Sequence, residues 1–207
     1  TEGGVRATLA RADAFTREHC DEHRALLLVV SPLTRTLLTA ALLFHRVPPE
    51  RLRVVVEPAA VEVLNAPHDI VENIGRDFAD VRDEARALLA ELDADARTAA
   101  ARRVLDALLH AFERDLAARW WHNAAQPGEL PRRVLEAEMA ERRARLHAAV
   151  RRHHAQHAHC ERVFIVAHWG VLCTLLGEVA PRDNLAVHQV DVSLDVSSHA
   201  AAAAAGA

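Results

Sequence analysis

At 207 residues with 51% hydrophobic side chains, the chain has the length and apolar content of one domain with a buried core, although much of that content is alanine. Its 25 Lys and Arg against 29 Asp and Glu leave a net charge of −4, which gives no electrostatic reason to expect nucleic acid or an anionic membrane as a partner. No apolar stretch is long enough to span a bilayer, and Cys20, Cys160 and Cys173 show no metal or redox spacing. A reducing intracellular compartment, cytoplasmic by expectation, therefore fits better than a disulfide framework.

In chain order, Thr1–Gly4 reads as a turn and Val5–Cys20 as a helix with Val5, Leu9, Ala12 and Phe15 on one face. The chain starts at Thr1 rather than at methionine, which is compatible with a segment upstream. A polar turn, Asp21–Arg24, leads into a strand over Ala25–Val30, whose continuous aliphatic run suits burial on both faces. Ser31 can cap a helix that Pro32 opens and that runs to Phe44, before Pro48-Pro49 forbid continuation. Arg51–Val56 is the second strand, followed by an irregular stretch from Pro58 to about Asp77. Ala79–Trp121 has helical spacing broken near Leu92–Ala96, and Leu130–His157 is another long helix after the Gln126-Pro127-Gly128 breaker. Arg162–Ala167 is the third strand, Gly170–Gly177 a helix and Ala186–Leu194 an edge strand. The expectation is one α/β domain over residues 1–195, a three-layer α/β/α sandwich with a mostly parallel sheet and a helical insertion. Residues 196–207 are expected to be an alanine-rich tail, disordered or a frayed helix.

Two strand ends carry chemistry. After the first, Arg35 sits one turn into a helix and offers a planar fork of donors suited to phosphate or carboxylate. After the third, His168 stands at the tip of an aliphatic strand, with Gly170 and a helix behind it. In an open parallel sheet the crevice at the carboxyl ends of neighbouring strands binds ligands, so Arg35 and His168 can converge on a phosphoryl group.

These residues carry a resemblance. Ser31-Pro32-Leu33-Thr34-Arg35-Thr36, followed by Thr39-Ala40, resembles the Ser-Pro-x-x-Arg-x-x-x-Thr-Ala motif of the histidine phosphatase superfamily, the phosphoglycerate mutase-like enzymes. Val163–Gly170 is similar to that family's late strand, which ends in an active-site histidine. Glu57-Pro58-Ala59-Ala60-Val61-Glu62 resembles its Pro-x-Leu-x-Glu segment, Asp69 stands where many members have Cys-Asp-x-Gly, and Thr1–Gly4 is similar to its Leu-Thr-x-x-Gly stretch. The likeness spans about Thr1 to Leu194, with Trp120-Trp121 matching the helical insertion more loosely. It implies that Arg35 binds the phosphoryl oxygens and that His168 donates to them. Glu62, rather than its neighbour Glu57, is the implied proton donor to the leaving group. The backbone N–H of Trp169 can face the phosphate. It implies a phosphorylated small molecule or protein as substrate, with no metal and no cofactor.

One departure stands out: the chain contains no Arg-His-Gly, the motif that holds the family's nucleophilic histidine at the end of its first strand. The expectation is a fragment of a phosphomonoesterase whose histidine lies upstream, inactive as written. The alternatives are a non-catalytic phosphate-binding scaffold and, less favoured, a phosphoglycerate mutase. Elsewhere, His153, His154, His157 and His159 read as a solvated helix end rather than a metal site, the arginine pairs as a solvated face, and Trp120-Trp121 as core.

Overall fold

A computed structural model describes residues 2–20, 24–61, 77–92, 95–116, 132–176 and 187–188. Among the described residues, three strands, β1 (Leu26–Val30), β2 (Leu52–Val56) and β3 (Arg162–Val166), form a parallel sheet in the order β2-β1-β3. Leu26 pairs with Leu52 and Arg162, and Val30 with Val56 and Val166, so the three carboxyl ends lie level. The helices are α1 (Glu2–His19), α2 (Thr34–Leu43), α3 (Phe78–Ala90), α4 (Ala96–Asp115), α5 (Arg132–Gln156) and α6 (Trp169–Leu176).

The aliphatic run of β1 is explained by its place between two helical layers. Every residue from Leu26 to Val30 is at 0% exposure. Leu26, Leu28 and Val30 face a core shared with α1, α2, α3 and α4, while Leu27 and Val29 face the opposite side with Val55, Cys160, Val163 and Ile165. On that second side Leu146 and Val150 of α5 pack with Val171 and Leu175 of α6. Period-two alternation with both faces covered gives the α/β/α layering.

The phenylalanines are concentrated in the first layer. Phe15, Phe44 and Phe164 meet edge-on, with centroids 5.2 to 5.9 Å apart, and fasten α1 and the end of α2 to β3. Phe78 and Phe112, 5.5 Å apart, join α3 to α4. The helix break expected near Leu92–Ala96 is present, and the Asp95 carboxylate there accepts from the Thr98 N–H at 2.8 Å to cap α4.

Among the described residues, side chains rather than a strand cover part of the outer edge of β2. Arg114 donates to the Val54 carbonyl at 3.2 Å, Asp115 accepts from the Val56 N–H at 3.4 Å, and the two side chains pair with each other. Both backbone groups are ones that an added strand would have used.

Two expectations fail at helix starts. Thr1–Gly4 is not a turn: α1 already runs through Gly3 and Gly4, where the Thr8 hydroxyl donates to the Gly4 carbonyl at 2.8 Å and Val5 packs into the core. Nor does Ser31 cap α2, which begins at Thr34 with Leu33 in the cap position and no side-chain cap. The Ala186–Leu194 strand and the tail lie outside the described residues, apart from Val187 and His188.

Candidate functional site

The level carboxyl ends of the strands bring Ser31, Glu57 and His168 to one side of the sheet. The backbone ladder continues one step past the strands: Ser31 N–H donates to the Val166 carbonyl at 3.0 Å and Glu57 N–H to the Val30 carbonyl at 2.9 Å. This extra step fixes where each chain leaves the sheet.

Ser31 is wholly buried, and its hydroxyl lies 2.8 Å from Nε2 of His168, itself 6% exposed. That contact explains the missing cap: the hydroxyl faces the neighbouring strand tip instead of the first turn of α2. The turn is held instead by the Thr36 hydroxyl, which lies 2.7 Å from the Leu33 carbonyl and 3.0 Å from that of Ser31, while Thr34 donates to Glu84 of α3 at 2.7 Å. The His168 carbonyl accepts from Leu172 N–H at 2.9 Å, so the same residue starts α6.

Burial, with the Arg35 guanidinium adding to it, pushes His168 down to about 3. At neutral pH its imidazole is uncharged and carries one N–H. Arg35 is exposed in the first turn of α2, and its charge reaches His168. The two residues singled out in the sequence are therefore electrostatically coupled across adjacent strand tips. Trp169 is the first residue of α6 and is half-buried. Glu62, Asp69 and Trp120-Trp121 lie outside the described residues.

The third tip holds an arrangement that the sequence reading passed over. Glu57 is buried, and one carboxylate oxygen accepts from Ala59 N–H at 3.0 Å. The other receives Nε2 of His153 at 3.0 Å and Nη2 of Arg152 at 3.2 Å, both from α5. Burial acts to raise its carboxyl. The hydrogen bonds from His153 and the Ala59 N–H, with the charges of His153 and Arg152, outweigh that and hold it below the ordinary carboxylate value. His153 is thus not part of a merely solvated helix end. The signal available beforehand was Glu57's position directly after an aliphatic run, the same position that singles out Ser31 and His168.

Among the described residues, no three His, Cys, Asp or Glu side chains are grouped to hold a metal ion, and no helix is long and apolar enough to cross a membrane. Cys20, Cys160 and Cys173 are free thiols. Compared with protein-family models, curated proteins and solved structures, the chain matches none.

The tips of β1 and β3 thus offer a fixed cation and a neutral imidazole N–H. That pair can bind and polarise an oxyanion. The adjacent hydroxyl of Ser31, at 0% exposure, is sealed from an incoming substrate.

Proposed function

We propose that this chain carries the phosphate-binding part of a metal-independent phosphomonoesterase of the histidine phosphatase type, acting on a phosphorylated small molecule or protein in a reducing intracellular compartment. What supports the reading most is the meeting of His168 with Ser31 at adjacent parallel strand tips, 2.8 Å apart, within the field of Arg35. Arg35 supplies charge and donors to the phosphoryl oxygens, and Trp169 adds its backbone N–H. His168 supplies a neutral N–H whose proton affinity rises once a dianion offsets Arg35.

In the reaction, a histidine outside these 207 residues attacks phosphorus as the P–O bond to the alcohol breaks, and Glu62 gives the leaving oxygen its proton. The Glu62 carboxylate then takes a proton from water while that water's oxygen displaces the histidine nitrogen and releases phosphate. No nucleic acid and no membrane enters this scheme.

The absence of Arg-His-Gly within the chain favours one other reading, a phosphate-binding protein without turnover. A phosphoglycerate mutase would need further contacts for a second phosphoryl group. Hydrolysis of an aryl phosphate by the complete protein tests the first reading. Arg35→Ala and His168→Ala should each lower kcat by about 10²–10³. Near-normal rates in either variant would remove the phosphatase reading, while phosphate binding with no turnover in the unaltered protein would favour the second.

A further inference from the structure

A cleft of about 430 Å³ runs along the outer edge of β2, between α4 and α5. Arg53 of β2, His110 and Arg114 of α4, His153 of α5 and His157 in the turn after α5 line it. The carboxylate on this lining, Asp115, is already engaged by the Arg114 guanidinium and by Val56 N–H. Arg114 is also held by the Val54 carbonyl, so its charge is fixed at the wall rather than carried on a loose side chain. Arg53 donates to the Glu50 and Leu52 carbonyls at 3.0 and 3.2 Å, which anchors the opposite wall.

Two guanidiniums, one of them paired with the single carboxylate of the lining, and three imidazoles therefore face one concavity. Its size suits a small organic molecule rather than a bare ion. We propose that this cleft is a second binding site, separate from the strand tips, for a small molecule bearing a multiply charged oxyanion such as a phosphate group.

The electrostatics agree with that geometry. His157 is held below the ordinary histidine value by burial first, and then by the positive groups around it: His159, Arg53, His153 and Arg114. A bound dianion would offset those charges, so binding should take up a proton at His157 and strengthen as pH falls. The groups facing His157 are Arg53 from β2, His110, Arg114 and Asp115 from α4, His153 from α5 and His159 in the same turn as His157. Because His153 also bonds Glu57, occupancy is linked to the tip of β2.

Inorganic sulfate is the probe, since it stays a dianion over the relevant pH range. The histidine ring resonances are followed by NMR at constant ionic strength, in the unaltered chain and in Arg35→Ala. The expected result is a saturable shift of the His157 and His110 signals in both proteins, about tenfold weaker in Arg53→Ala and tighter at pH 5.5 than at pH 7.5. Signals that do not move, that move equally in Arg53→Ala, or that stop moving in Arg35→Ala would overturn the second site. Because Arg35→Ala removes the proposed catalytic cation, failure at the cleft and failure at the strand tips give different patterns.

Discussion

His168 and His153 both meet the carboxyl side of the sheet with Nε2 against a protein oxygen, at 2.8 Å from Ser31 Oγ and 3.0 Å from Glu57 Oε2. A hydroxyl can give or accept a proton, whereas an ionised carboxylate only accepts. Glu57 therefore fixes a proton on Nε2 of His153, and that pair works as a tie from β2 to α5. Ser31 imposes no charge on His168, and burial keeps that ring neutral beside an arginine. With the Ser31 hydroxyl donating to Nε2, the single ring proton of the neutral imidazole sits on Nδ1. Partner and burial, rather than residue type, separate a histidine tied to a carboxylate from one held neutral beside a hydroxyl.

Acid separates the two most strongly. The ordinary histidine value of 6.5 falls to about 3 for His168 in the fold, so between those limits the unfolded chain binds more protons than the folded one. Stability that is complete above pH 6.5 should decline as pH falls towards 3, by up to about 1.4 kcal/mol per pH unit from this group. Urea unfolding as a function of pH should show that slope, and His168→Gln should flatten it between pH 6.5 and 4.5. The lowered carboxyl of Glu57 has the same sign but acts later, contributing above its ordinary value of 4.5 and being lost below it. Glu57→Gln should leave the upper limb unchanged.

A smaller effect sharpens the comparison at neutral pH. Glu57→Gln keeps an oxygen for Ala59 N–H but loses its charge-assisted bonds to His153 and Arg152, and should cost about 1–3 kcal/mol in urea unfolding. A loss no larger than that of an exposed ion pair would mean that Glu57 does not fasten α5 to the sheet.

Much of this fold was legible because its signals are local. Each aliphatic run became a strand to within a residue at either end, and the break before Asp95 was marked by its own cap. The strand tips were legible for the same reason, since polar residues directly after buried runs had to sit at the end of the sheet. What was not legible depends on contacts across the chain. Ser31 has every local mark of an N-cap, yet its hydroxyl is taken by a histidine 137 residues away. Glu57 looked like a lesser rival of Glu62 because its partner His153 lies 96 residues on. At Gly3-Gly4 the glycines suggested a turn, but burial of the Val5 and Phe15 face and the Thr8 back-bond carry the helix through them.

The most direct measurement is the ring ¹⁵N spectrum of His168 in this chain at pH 7, with and without inorganic phosphate, repeated in Arg35→Ala. The expected result is a neutral ring with its proton on Nδ1, whose resonances shift saturably with phosphate and cease to do so without Arg35. A ring that ignores phosphate, or one that responds equally in Arg35→Ala, would contradict a phosphate site at the tips of β1 and β3.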